Sequence, residues 1–370
     1  MAQRQPYNMH NQFSTRASRR TSRYSQLIQL AIVVLLGFVP LTSCDNDVVT
    51  EYTADPVANL DALWSILDER YCYFDAKDID WRGVYNEYNH RLHLKRQWTI
   101  YEYFDLMASM LDTLQDGHVN LYSPFNISSC SGWYTDYPTD YYSDIVYSDH
   151  YLGTDYRRTS AFQYGYLADS DVGYIRYSSF SNVISATTLA YIAHYFEKAD
   201  GLIIDVRSNG GGSLEYSKAL ASCFFKEKTT TGYIRHKLSA AHDDFSDPEP
   251  LYTDPATAPY DFSDKPAVVL TNRRCYSATN DFVVRMLQAP NVTVVGGKTG
   301  GGGGMPLSQE LPNGWMIRFS AVPMYDARMQ HTEFGVDPDI EVHISDSDLN
   351  TLRDPIIDKA KEILQIKNNE

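Results

Sequence analysis

Apolar residues recur at helical spacing through the part of the chain that follows residue 55. In LDALWSILDERYCYF, Leu60, Leu63, Trp64 and Leu67 fall at i, i+3, i+4 and i+7, which gathers them on one helical face. DWRGVYNEYNHRL continues the pattern, and in TIYEYFDLMASMLDTLQ the residues Phe104, Met107, Leu111 and Leu114 make one stripe. These segments predict a helical domain over 56–120 that ends at DGHVNLYSP. Residues 121–165 are rich in Tyr, Asp and Ser and hold no strong period, as expected of a small β unit or a surface loop. From 166 to 346 the texture changes. DVGYIRYSSF, GLIIDVRSNGGG, KPAVVLTN and NVTVVGGKTGGGGG read as strands, and SATTLAYIAHYFEKA, SLEYSKALASCFF and SATNDFVVRMLQ as the helices between them. Continuous apolar strands alternating with helices imply an α/β core whose sheet is covered on both faces. LPNGWMIRFSAVPMYDA reads as a hairpin, and the remainder, 347–370, ends in the helix DPIIDKAKEILQI. There is no internal repeat.

The first 43 residues stand apart from this pattern. Arg4, Arg16, Arg19, Arg20 and Arg23 precede the apolar run Leu27–Leu41, and no acidic residue occurs among them. A basic leader, a short apolar run and small residues at its end describe an export signal. The run is broken by Gly37 and Pro40 and is short for a bilayer span. Its end, LTSC, resembles the lipobox of bacterial lipoproteins, which implies a signal over 1–43, lipidation of Cys44 and a polar tether over 44–55. The implied location is the bacterial cell envelope, held to the membrane by lipid and facing the periplasm or the exterior. Without the leader the net charge falls from −15 to −20. A surface so acidic disfavours nucleic acid and anionic lipid heads as partners. Beyond Cys44 the cysteines are Cys72, Cys130, Cys223 and Cys275. Their spacing forms neither a disulfide scaffold nor a zinc motif, so no metal is expected.

Candidate chemistry gathers at strand ends. RSNGGG (207–212), RRCYSATND (273–281) and GGKTGGGGG (296–304) each follow a predicted buried strand, the position where open α/β sheets place ligands. NGGG lacks the phosphate-cradling glycine patterns. Its glycines instead allow backbone amides to approach a ligand atom, as an oxyanion hole requires. Ser277 stands between a strand and a helix, where serine serves either as a helix cap or as an exposed nucleophile. A nucleophilic serine needs a base, and among the 10 histidines His118, just after the strongest amphipathic helix, is one candidate. A cap or a partner of the helix dipole is its other reading. Cys275 reads as a core neighbour of Ser277.

The ordered set VGYIRYSSF, GLIIDVRSNGGG, YSATND, VVGGKTGGGGG and EFGVDPDIEV resembles the core of the tail-specific, or C-terminal processing, serine peptidases (family S41). That group shares its fold with the tricorn core protease and the interphotoreceptor retinoid-binding protein. The resemblance covers about 55–365. It implies Ser277 as nucleophile and an oxyanion hole built from the amide of Ala278 and a glycine amide, Gly211 first and Gly210 next. It also implies a polypeptide substrate and no cofactor. One branch of the family takes a lysine as base, but Gly302 stands where that lysine belongs and Lys298 falls four positions earlier. The tricorn-like branch takes a histidine from a DxH-like motif, which the DGH of 116–118 matches except that Gly117 replaces a serine. That branch also has a glutamate near GVxPD, and Glu333 is one residue closer to the glycine. The expected pair is Ser277 with His118, with Lys298 as the alternative base. A histidine base predicts activity rising between about pH 6 and 8. Residues 121–165 are too few for a full PDZ domain. A binding protein that keeps the fold without catalysis is the competing expectation.

Overall fold

The structure is a computed structural model that describes residues 54–256 and 260–367. The expected signal, Cys44 and nearly all of the tether fall outside the described residues.

Three helices open the described chain: α1 (Pro56–Arg70), α2 (Trp81–His93) and α3 (Ile100–Asp112). Local chemistry fixes where each begins. The Asp55 side chain accepts from the Val57 amide with Pro56 in the first turn, and Asp80 accepts from Gly83. Thr99 and Glu102 form a reciprocal capping box, which satisfies amides that the first turn of a helix leaves open. The stripes that predicted these helices are buried: Leu60, Leu63, Leu67, Phe104, Met107 and Leu111 all lie in one apolar cluster. That cluster is completed by Leu311, Trp315, Ile317, Phe319 and Ala321, which come from the far end of the sequence.

Those distant residues belong to a second sheet that the sequence reading found only in part. It contains β1 (Asn120–Tyr122), β6 (Thr229–Ile234), β7 (Glu249–Thr253), β10 (Gly304–Glu310) and β11 (Met316–Asp326), all antiparallel. The expected hairpin is β10–β11, but it starts earlier than LPNGW. That pentapeptide is its turn, closed by Leu311 N–H to Trp315 O at 2.7 Å, and the last glycine of the glycine run is already in β10. β11 pairs with β1 at Met316–Arg318 and with β6 at Met324–Asp326.

The main sheet has the order β12-β9-β8-β5-β4-β3-β2. Its parallel strands are β4 (Val172–Tyr177), β5 (Gly201–Asp205), β8 (Ala267–Thr271), β9 (Val292–Gly296) and β12 (Ile340–Glu341). β3 (Phe162–Tyr166) and β2 (Arg157–Arg158) add antiparallel at one edge, so the sheet reaches back into the stretch read as a separate unit. The apolar runs of β5 and β8 are buried throughout, and alternate side chains enter different cores. Leu202, Ile204, Ala267 and Val269 face one cluster, under α4 (Ala186–Tyr195), α5 (Leu214–Ser222) and α6 (Ala278–Met286). Ile203, Val268 and Leu270 face the other, with Ile356, Ile357, Ala360 and Leu364 of α7 (Pro355–Lys367). No helix among the described residues is long and apolar enough to cross a membrane.

Candidate active site

β8 ends at Thr271, and within six residues the chain has turned into α6. Asn272 holds this turn: its Oδ1 accepts the amides of Ser208 (2.8 Å) and Arg274 (3.2 Å), and its Nδ2 donates to Thr139 O (2.7 Å). Ser277 completes the turn at φ 58°, ψ −122°, a conformation that costs a non-glycine residue energy and recurs at functional sites. It stands at the cap position of α6, yet its side chain makes no capping hydrogen bond. Its Oγ lies 3.0 Å from His118 Nε2 instead. The Ser277 amide donates to Gly301 O at 2.8 Å. Gly211 (φ +102°) packs so tightly that a Cβ there would meet Ser277 Cβ at 2.8 Å and Tyr276 O at 2.7 Å. The Cys275 thiol, buried against Val206 O, is pushed up to about 12 by burial, so it stays protonated and packs in the core.

His118 sits between α3 and β1, on the loop that the Asp116 carboxylate organises. Asp116 is buried and accepts the His118 amide (2.8 Å), the Tyr71 hydroxyl (3.0 Å) and the Ser320 hydroxyl (2.8 Å). Burial opposes its ionisation, but Lys77, His118 and these donors together hold it below the usual carboxylate range. Asp116 therefore orients the loop through the His118 amide and not through the ring, whose Nδ1 has no side-chain partner among the described residues. Burial lowers the His118 ring to about 4, with Arg318 and Lys77 adding to the shift and Asp116 and the Gly304 backbone opposing it. The ring is thus held in its neutral form to lower pH than an unperturbed imidazole. Gly117, where the tricorn-like pattern has serine, is forced by space: a Cβ would lie 2.6 Å from Trp133 Nε1 and 2.8 Å from the Tyr276 hydroxyl.

The two other basic and acidic candidates part company. Glu333 is buried beside the site, accepting from Lys77 Nζ (2.8 Å) and from the Gly303 amide (3.0 Å). Burial, then the Asp116 charge, raise it to about 8 against the pull of Lys77. Lys77 also donates to Leu114 O and Gln115 O, both at 3.2 Å, so it ties the end of α3 to the glycine loop. Lys298 points elsewhere: its ammonium is partly exposed and pairs with Asp337 at 3.2 Å. At Gly302 (φ +74°), a Cβ would strike the Tyr276 ring at 2.4 Å. Tyr276, stacked on Trp133 at 4.1 Å between centroids, occupies the volume that a lysine at 302 would need.

Of the expected oxyanion donors, Ala278 opens α6, so its amide has no acceptor within the helix. The Gly211 amide donates to Asn209 Oδ1 at 3.0 Å and must share or release that bond to serve. Gly210 is exposed, with nothing near the position of a Cβ. Ser277 opens into a cleft of about 400 Å³ whose lining includes Gly212, Asp281, Arg285, Met305, Arg318 and Met324. Lys77 and Arg318 carried no sequence signal, since neither lies in a motif or a periodic stripe. No group of His, Cys, Asp and Glu among the described residues could hold a metal ion.

Comparison with known proteins follows the same outline. The family model for peptidase family S41 matches residues 171–342, and that for the tricorn protease C1 domain matches residues 52–112. The chain is 24% identical over 187 residues to the carboxy-terminal processing protease CtpA of Bacillus subtilis (strain 168), covering 50% of this chain and 37% of that protein. It is 30% identical over 172 residues to the carboxyl-terminal-processing protease of Synechocystis sp., covering 45% of this chain and 37% of that protein. The chain thus spans little more than a third of the curated relatives it matches. The crystal structure of a candidate peptidase from Parabacteroides merdae ATCC 43184 superimposes with a TM-score of 0.79 at 47% identity, covering 84% of this chain and 97% of that one.

Proposed function

Because the chain belongs to peptidase family S41, we propose that it is a serine peptidase that cleaves polypeptides, with Ser277 as nucleophile and His118 as base. The observation that carries this reading is the 3.0 Å approach of Ser277 Oγ to His118 Nε2 with Ser277 held in the left-handed region. In this reading Nε2 of the neutral ring takes the hydroxyl proton while Nδ1 keeps its own. The alkoxide adds to a peptide carbonyl, and the oxyanion rests on the Ala278 amide and an amide of the 209–212 loop, Gly211 first. His118 then returns the proton to the leaving amine, and water repeats the sequence on the acyl-enzyme. Glu333 and Lys77 act one row behind, holding the glycine loop against the His118 loop. The curated relatives, both named as carboxy-terminal processing proteases, support cleavage near substrate C-termini. The leader and LTSC support an exported protein anchored through lipid on Cys44, in the bacterial envelope.

A fluorophosphonate probe tests the nucleophile directly. The expected result is one label, mapped to Ser277 and lost in Ser277→Ala. Asp116 accepts the His118 amide, and no carboxylate among the described residues is hydrogen-bonded to its Nδ1, which favours a second reading, a binding protein that keeps the fold. An unlabelled but folded wild-type chain would establish that reading. The anchor is tested by fractionation of wild type against Cys44→Ala, with mass analysis of the N-terminal peptide. A soluble wild type without a lipid mass overturns it.

A further inference from the structure

Arg318 lies on β11 opposite Asn120 of β1, on the wall of the cleft that holds Ser277. Its guanidinium donates to Asn120 Oδ1 at 3.3 Å, and no Asp or Glu among the described residues pairs with it. Two other interior arginines are paired with carboxylates. Arg207 pairs with Asp205 and Asp354 at 2.6 and 2.8 Å, and Arg285, which shares the cleft, pairs with Asp281 at 2.9 Å. Asp281 is committed further by the Ser217 hydroxyl at 2.5 Å. The cleft's remaining acid, Glu215, is exposed on the first turn of α5. One half-buried cation therefore lines the cleft without a carboxylate in ion-pair contact among the described residues, in a chain of net charge −15. A guanidinium carries five donors in a planar fork suited to a carboxylate. The same lining also offers apolar surface from Leu251, Val284, Met305 and Met324.

We propose that Arg318 is a specificity residue that receives a substrate carboxylate, either a free chain terminus or an Asp or Glu side chain, in the cleft beside Ser277. The proposal rests on the peptidase reading of the site. A docked carboxylate has a second effect there. Arg318 is close enough to His118 to disfavour its protonated form, and pairing with an anion removes that repulsion. Substrates bearing the carboxylate therefore find a stronger base than substrates without it, and the preference extends from binding to turnover.

The test measures binding, so it does not depend on turnover. A short fluorescein-labelled peptide of Ala, Gly and Leu is made as the free acid, as the C-terminal amide, and as amides carrying one Glu or one Lys. Each is titrated with the full chain carrying Ser277→Ala and followed by anisotropy. The acid or Glu form should bind about tenfold or more tightly than the neutral amide, the ratio that a charge-assisted hydrogen bond supports. Adding Arg318→Gln should erase the preference, and Arg318→Lys should keep part of it. A preference confined to the free acid assigns the site to chain termini, and one shared by the Glu form assigns it to side chains. Equal affinities, or a preference that survives Arg318→Gln, overturn the proposal. Thermal melts of both Arg318 variants check folding. The two readings fail separately: acid preference in a chain whose Ser277 takes no fluorophosphonate sinks the peptidase reading alone, and labelling without acid preference sinks this one alone.

Discussion

His118 combines burial with two nearby cations, Arg318 and Lys77, and its ring falls to about 4. A lower value means the base form persists to lower pH. The kcat/KM of a peptide substrate should therefore be level above about pH 6 and fall only on approach to about pH 4, not between about pH 6 and 8 as an unperturbed ring would give. Arg318→Gln removes a repelling charge and should move that limb upward, and a wild-type limb near about pH 6.5 would contradict the account. The same shift bears on stability. The folded value lies below the ordinary one, so the unfolded chain takes up the proton first, and the contribution present above about pH 6.5 is lost as pH falls toward about 4. Substitution sorts the remaining candidates. Ser277→Ala and His118→Ala should each lower kcat/KM by about 10⁴-fold or more, while Lys298→Ala, which removes an exposed pair with Asp337, should leave it nearly unchanged.

At the scale of elements, the glycine run between β9 and β10 is a close-packed layer against Tyr276 and Glu333. Gly302→Ala places a Cβ against the Tyr276 ring in a left-handed backbone, at an expected cost of about 1–3 kcal/mol in urea denaturation. Gly302→Lys should likewise destabilise the chain and supply no base, because the ring fills the path to Ser277. Lys77 makes the other inter-element tie, and its side chain is only 9% exposed. Lys77→Met leaves Glu333 and two carbonyls at the end of α3 without their partner. It should cost about 1–3 kcal/mol and slow fluorophosphonate labelling of Ser277, since the loop bearing His118 loses its fastening. Unchanged labelling in a folded Lys77→Met protein would remove Lys77 from the positioning role.

Across the whole described molecule, the helices that precede His118 share their apolar core with β11 and its turn. Their stripes close on β11, and Trp315 packs among Tyr103, Phe104 and Phe125 at centroid distances of 5.6 to 5.9 Å. β11 also reaches the main cleft through Arg318 and Met324, so the His118 loop and the cleft that holds Ser277 share one support. Trp315→Ala should lower stability by about 3–5 kcal/mol. Loss of helical circular dichroism and loss of Ser277 labelling should then coincide along a denaturant series. Labelling that outlasts the helical signal would show that the two parts open independently.

What the sequence determined by itself was whatever a local period or a continuous apolar run reports. The stripes at 60–67 and 104–114 predicted helices because one face of each is buried. The unbroken runs of β5 and β8 predicted strands covered on both sides because alternate residues enter two cores. Glycine clusters after those strands marked the sheet edge where the backbone must pack closely. The strands β3, β6 and β7 escaped, since β3 is a short run of Phe, Gln, Tyr and Gly whose burial follows no regular period and β6 and β7 mix Thr, Gly and Pro with few buried apolar positions. Only the tertiary structure placed His118, and not Lys298, beside Ser277. The pairing of β1 with β11 sets the His118 loop beside Ser277, 159 residues away, while the turn after β9 carries Lys298 out to Asp337. It also joined Lys77 to Glu333 across 256 residues and gave the place of a lysine at 302 to the ring of Tyr276. Register and volume between distant segments settle such matters, and no local pattern in the chain encodes them.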